Sequence, residues 1–261
     1  MIISLITATY NCASTLRDTI TSVANQTARA HIEYIVVDGG SKDGTLQIIK
    51  DNAHQIDHWI SEPDNGIYDA LNKGLQLATG DWIGFLHADD IFADNFSVEK
   101  ILTTATKNEA NVIYGNLQYI QQSPPHKVIR EWISQSFQSK LLKRGWMPPH
   151  PTVYITKDHY KTIGLFNTHY KIAADYDLML RLFSHPSTKS THINHVLVKM
   201  KVGGASNRSI GNIILKSKED LLALKRNKIG GIYSLVIKNV SKLIQFLHAL
   251  IGTKEKTNKV Q

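Results

Sequence analysis

Over its first ninety residues the chain alternates short apolar, β-branched runs with stretches whose apolar positions recur every three or four residues. Ile2–Thr9 and Tyr34–Val37 read as buried strands, Trp59-Ile60 as a short one and Trp82–Leu86 as a fourth. Between them, residues 14–26 carry Leu16, Ile20, Val23 and Ala24 at helical spacing behind a Ser14 N-cap. A second helix opens at Thr45, and Tyr68–Ala78 forms a third that ends at Gly80. Strand and helix in alternation imply crossover connections and a mainly parallel central sheet with flanking helices, an α/β fold. Ligands of such sheets gather at the carboxyl ends of the strands. Three polar clusters, Thr9–Asn11, Asp38–Thr45 and His87–Asp90, lie just past strands, where that site belongs.

The second half is less regular. Val112–Tyr114, Leu117–Ile120 and Val128–Trp132 read as strands, with Gln121–His126 a polar turn. Gly145–Pro151 holds three prolines and is a rigid loop. Helices are predicted over Lys157–Ile163 and Asp175–Phe183, then a strand over Val196–Lys201. From Ile229 to Ile251 apolar residues return at helical spacing, with Lys238, Lys242 and His248 off the stripe.

Charge divides the chain unevenly. Residues 1–200 balance to −1, whereas 201–261 carry 12 Lys and Arg against Glu219, Asp220 and Glu255. The expected organisation is therefore a body over 1–205 and a basic, helical segment over 206–261. A basic amphipathic helix suits an anionic membrane surface; a helix folded back on the body and a homodimer contact are the alternatives. A nucleic-acid partner is not expected, because the positive charge follows an apolar-faced helix without aromatic interleaving. One cysteine, Cys12, excludes a disulfide scaffold. With no apolar run of about 18 residues and no basic leader, the expected location is cytoplasmic, peripheral on the inner face of the cell membrane.

Several of the polar clusters suit chemistry. The Gly- and Asp-rich turn Asp38–Thr45 lets backbone amides and one carboxylate approach a planar ligand, Asp38 accepting from a base imide or a ribose hydroxyl, or else merely holding the turn. It is not the dinucleotide fingerprint, since no Gly-x-Gly-x-x-Gly opens a helix. Asp64, Asp69, Asn72 and Lys73 crowd one helix entry, where the lysine can meet a phosphate or pair with Asp69. Adjacent Asp89 and Asp90 repel unless a cation or donors stabilise them. A divalent cation there would bridge a diphosphate; alternatively Asp90 caps a helix with Asp89 in solvent.

Taken together these pieces resemble the family 2 glycosyltransferases of GT-A fold. The resemblance rests on Ser4–Asn11, Val36–Thr45, Ser61–Gly74, His87–Asp90 and Ile172–Leu178, in the family's order over about residues 1–205. It implies that Thr9 and Asp38 face the base and ribose, that Asp64 and Lys73 lie near the nucleotide and its phosphates, and that Asp89 contacts the metal. His87 stands where the first acid of the family's Asp-x-Asp element often stands. Asp175 corresponds to the general base, preceded by Ala174 where Glu is common; Asp177 is the fallback candidate, though two residues along a helix it would face elsewhere. His150 lies in a segment near the acceptor, within reach of metal or diphosphate. The function so implied is inverting transfer of a sugar from a nucleotide sugar, foremost a UDP-sugar, to a hydroxyl of a glycan or lipid-linked acceptor in cell-surface polysaccharide synthesis, with Mg²⁺ or Mn²⁺. Two rivals are a non-catalytic nucleotide-sugar-binding or assembly protein and a nucleotidyltransferase. The latter should show a Gly-rich basic loop after the first strand, and Thr9–Ser14 has neither feature.

Overall fold

The structure is a computed structural model and describes residues 1–122, 125–202 and 210–240. Its first half is the predicted alternation: β1 (Ile3–Thr9), α1 (Leu16–Ala24), β2 (Ile32–Asp38), α2 (Thr45–Asp51), β3 (His58–Ser61), α3 (Ile67–Leu77) and β4 (Trp82–Phe85). β1 is buried along its whole length. Ile6 and Ala8 enter one hydrophobic layer with α3, while Ile3 and Leu5 enter a second with Leu16 and Ile20 of α1. A strand covered on both faces shows no apolar–polar alternation, which is why β1 and β2 read as near-continuous apolar runs, the buried polar side chain of Thr7 being hydrogen-bonded. α1 starts one residue later than expected, with Thr15 and not Ser14 as N-cap, because the Thr15 and Leu16 amides both turn back to the Cys12 carbonyl.

The remaining elements are β5 (Asp90–Phe92), α4 (Ser97–Lys107), β6 (Val112–Ile120), β7 (Val128–Trp132), β8 (Tyr154–Thr156), α5 (Lys157–Ile163), α6 (Ala174–Ser184), β9 (Ser190–Lys201) and α7 (Ile210–Arg226). The strands form one sheet in the order β3-β2-β1-β4-β8-β6-β9-β5, with β7 beside β6. β3, β2, β1 and β4 are mutually parallel. Past β4 the sheet is mixed: β8 runs antiparallel to β4 and β6, and β9 runs parallel to β6 but antiparallel to β5. The link from β6 to β7 is too short for a crossover and so closes an antiparallel hairpin. Inside the proline-rich loop, His150–Thr152 forms one 3₁₀ turn with Pro151 in its early, donor-free position.

The C-terminal elements pack on the body. Ala223 and Leu224 of α7 are fully buried in the same layer as Tyr176 and Leu180 of α6. Of the helix expected over 229–251, residues 232–240 are helical, and 241–251 lie outside the described residues. Among the described residues no helix is long and apolar enough to cross a membrane.

Candidate functional site

Strand register builds one side of the site. Thr9 pairs with Asp38 and Asp38 with Ser61, so three strands end in a single polar row. Asp38 is fully buried. Its carboxylate accepts the Ser41 amide at 3.1 Å, the Ser61 hydroxyl at 2.6 Å and the Ser41 hydroxyl. Asp38 therefore fixes the turn that follows it. A Cβ at Gly39 would collide with the Asp64 carboxylate, so glycine is what lets Asp64 press against the end of β2. Asp64 in turn accepts the Gly66 amide at 2.8 Å. Asn11, at φ 52°, accepts the Lys42 amide at 2.9 Å and donates its own amide to Ser41, joining the loops after β1 and β2. Thr9 Oγ1 is buried and has no hydrogen-bond partner among the described residues. Lys73 pairs with Glu62 at 2.7 Å, bonds the Pro63 carbonyl at 3.0 Å and stands 4.0 Å from Asp69.

The other side is acidic with two imidazoles. β4 runs into His87, whose ring centroid lies 5.9 Å from that of His150; His150 also stacks on Phe85 at 5.3 Å. His87 Nδ1 and His150 Nε2 are both buried without a hydrogen-bond partner among the described residues. Burial drives the His87 pKa down against the opposing charges of Asp89 and Asp175. Burial likewise takes His150 to about 4, with Asp175 opposing and His87 assisting. Both imidazoles are thus neutral at pH 7 and keep a lone pair. Two carboxylates 86 residues apart in sequence, Asp89 and Asp175, thus act electrostatically on the same imidazole.

Asp175, half-buried in the first turn of α6, accepts the Tyr176 amide at 2.7 Å. Burial favours its neutral form, yet Lys216, His150 and Lys238 outweigh burial and hold its pKa below the usual carboxylate range. The helix amides add to that effect. Asp177 is buried and faces Arg181 at 3.0 Å and the Asn227 amide at 2.9 Å, a structural pairing. Asp90 caps no helix: it opens β5, fully buried, its pKa well above the carboxylate range because burial and then Asp89 oppose its charge.

The structure thus sets Thr9, Asp38 and Asp64 at the ends of β1 to β3, with Lys73 paired to Glu62 and Asp69. His87 and His150 lie ring to ring, and the charge of Asp175 acts on both imidazoles, that of Asp89 on His87. Sequence reasoning missed Tyr68, whose hydroxyl donates to the Ile172 carbonyl at 2.6 Å, and the α7 residues around Asp175. The available signal was that Glu219 and Asp220 are the acids inside an otherwise basic helix; both are buried.

The family model for Glycosyl transferase family 2 matches residues 4–165. The chain is 31% identical over 219 residues to a PGL/p-HBAD biosynthesis glycosyltransferase of Mycobacterium bovis, covering 82% of each sequence. It resembles residues 1–349 of TarS from S. aureus, solved in complex with UDP-GlcNAc, with TM-score 0.69 at 15% identity, covering 95% of this chain and 72% of that one. A longer TarS structure is spanned over 40% of its length. The mannosyltransferase PcManGT from Pyrobaculum calidifontis, in complex with GDP-Man and Mn²⁺, gives TM-score 0.66 at 15% identity, covering 97% and 75%. These structures fix the architecture as the GT-A fold.

Proposed function

Because the chain belongs to glycosyl transferase family 2, we propose that it transfers a sugar, with inversion, from a nucleoside-diphosphate sugar to a hydroxyl of a glycan or lipid-linked acceptor. UDP is the nucleotide of choice. The supporting observation is that β1, β2 and β3 end in register at Thr9, Asp38 and Ser61, with the buried, unpartnered Thr9 hydroxyl in that row. Thr9 offers its unpartnered hydroxyl to the nucleotide, and Asp38 holds the turn that cups it. Asp64 and Lys73 stand toward the phosphates. Asp175, kept ionised by the charges of Lys216 and Lys238, removes the proton from the acceptor hydroxyl. The acceptor oxygen then bonds the anomeric carbon as the carbon–diphosphate bond breaks on the opposite face, and the nucleoside diphosphate departs with that electron pair. Fixing both substrates against these walls supplies the proximity term.

The donor set suits a divalent cation. Asp89 offers a carboxylate whose charge acts on His87, and His87 Nδ1 is a buried nitrogen without a hydrogen-bond partner among the described residues. Among the described residues no three His, Cys, Asp or Glu side chains form a closed centre, so the protein would hold the ion through Asp89 and a neighbouring imidazole. A mixed nitrogen and oxygen set favours Mn²⁺ over Mg²⁺. Such an ion, when bound, would offset the charge of the departing diphosphate.

Asp175→Asn should lower transfer by about 10²–10⁴-fold while leaving the calorimetric Kd for UDP unchanged; full transfer by that variant would remove Asp175 from the role. Asp89→Ala should abolish the gain in UDP affinity that Mn²⁺ gives the wild type. The same reading places the enzyme on the inner face of the cell membrane, held by its basic C-terminal segment within reach of a lipid-linked acceptor.

A further inference from the structure

We propose that α7 is a working part of the catalytic unit, with Glu219 the positioning residue for the Asp175 carboxylate. This rests on the reading of Asp175 as the base. Residues 216, 219/220 and 223 form one stripe of α7, continued by Asn227 just past its end, and each polar member acts on the segment 171–177. Glu219 is buried. Its Oε1 accepts the Lys171 amide and its Oε2 accepts the Ile172 and Ala173 amides, all at 2.9 Å. Tyr68 holds the same loop through the Ile172 carbonyl. Asp220 pairs at 2.9 Å with Lys238, whose ammonium lies 3.0 Å from the Tyr176 ring centroid, and at 3.8 Å with Lys216. Asn227 bonds Asp177.

Asp175 follows two residues after the last amide that Glu219 grips. α6 has no side-chain N-cap of its own, so the approach of the chain to Asp175 is set from outside that helix. A carboxylate accepting three successive amides fixes peptide planes as well as position, and charge-assisted bonds of this kind are the stronger ones. The nucleotide side of the site makes no comparable use of α7: Asp38, Asp64 and Lys73 are held by residues 39–69. Weakening the Glu219 grip should therefore affect chemistry and spare nucleotide binding.

The test uses the full chain with Glu219→Gln, which keeps an acceptor oxygen, and Glu219→Ala, which keeps none. Three quantities are read: UDP affinity by calorimetry, nucleotide release from a UDP-sugar panel with membrane lipid extract as acceptor, and thermal stability. The expected result is an unchanged UDP Kd with turnover falling in the order wild type, Gln, Ala, the Ala variant by tenfold or more, a factor in the range that misplacing a catalytic group costs. An unchanged turnover in a folded Glu219→Ala protein overturns the proposal, as does a loss confined to KM or to UDP affinity. If Glu219→Ala does not fold, the Gln variant decides by the same split between turnover and UDP affinity. Asp175→Asn run alongside separates the two readings: if it retains turnover the assignment of the base fails, and if only the Glu219 variants retain turnover the positioning role fails.

Discussion

Asp89 and Asp90 are chain neighbours, and the fold relieves their repulsion by giving them opposite environments. Asp89 is half-buried beside His87, whereas Asp90 is withdrawn from water completely. Burial first, then the charge of Asp89, raises the Asp90 pKa, with the Lys201 amide and ammonium opposing. Folded protein thus holds this proton more tightly than unfolded chain does. The resulting stabilisation is complete below the unfolded value of about 4 and is lost as pH rises through the folded value. Asp90→Asn carries no such proton, so wild type should lose stability relative to Asp90→Asn as pH is raised from about 4 toward neutrality. Urea melts of both proteins across that range check this; a constant gap would show that Asp90 ionises freely. The pair was visible in the sequence, but which acid is buried was not. Asp90 pairs with Met200 of β9, 110 residues on, and a cap or a solvated acid was the natural local reading. Asp38 shows the reverse case: its place at a strand end was legible, while its full engagement by Ser41 and Ser61 required the β2–β3 register.

Elements covered on both faces were the readable ones. β1, β2 and β4 are nearly wholly buried and so print themselves as apolar runs. β9 is mostly half-buried and mixes threonine, histidine and lysine with its apolar positions, so only its Val196–Lys201 portion was recognisable although it spans Ser190–Lys201. α3 was legible by period, and the glycine in its interior marks a close approach that a helical wheel does not show. A Cβ at Gly74 would collide with Ile6 of β1 and touch Val37 of β2. Alanine is intrinsically the better helix former by about 1 kcal/mol, but overpacking a close-packed contact costs about 1–3 kcal/mol. The second effect should win, because both neighbours belong to fully buried central strands that cannot retreat. Gly74→Ala is therefore expected to lower the melting temperature; a rise would mean that α3 can shift away from the sheet without penalty.

Across the whole molecule, the basic excess of the last quarter meets two different surroundings. One side of α7 and of the helix at 232–240 is buried against the body, with Ala223, Leu224, Ser234 and Lys238 nearly inaccessible. The other side exposes Ile213, Ile214, Leu222, Ile232, Tyr233, Val236 and Val240. Ile232, Tyr233, Val236 and Val240 share one face of the helix at 232–240, and exposed apolar residues grouped in this way are candidates for a docking surface. On the proposed membrane reading, the +9 balance of residues 201–261 should favour an anionic bilayer over a neutral one, each Lys or Arg near such a surface adding about 1 kcal/mol. Deleting the segment would be a poor test, since it would also strip buried contacts such as Lys238 over Tyr176. Ile232→Ser, Tyr233→Ser and Val236→Ser together change only exposed positions and leave the buried side intact. Wild type should float with vesicles rich in anionic lipid, less so with neutral ones or at high salt, and the triple variant should stay in solution with its UDP affinity retained. Equal flotation of the two proteins would exclude this face as the membrane contact. Sedimentation that changes from dimer to monomer in the triple variant, without wild-type flotation, would assign the face to a second copy of the chain instead.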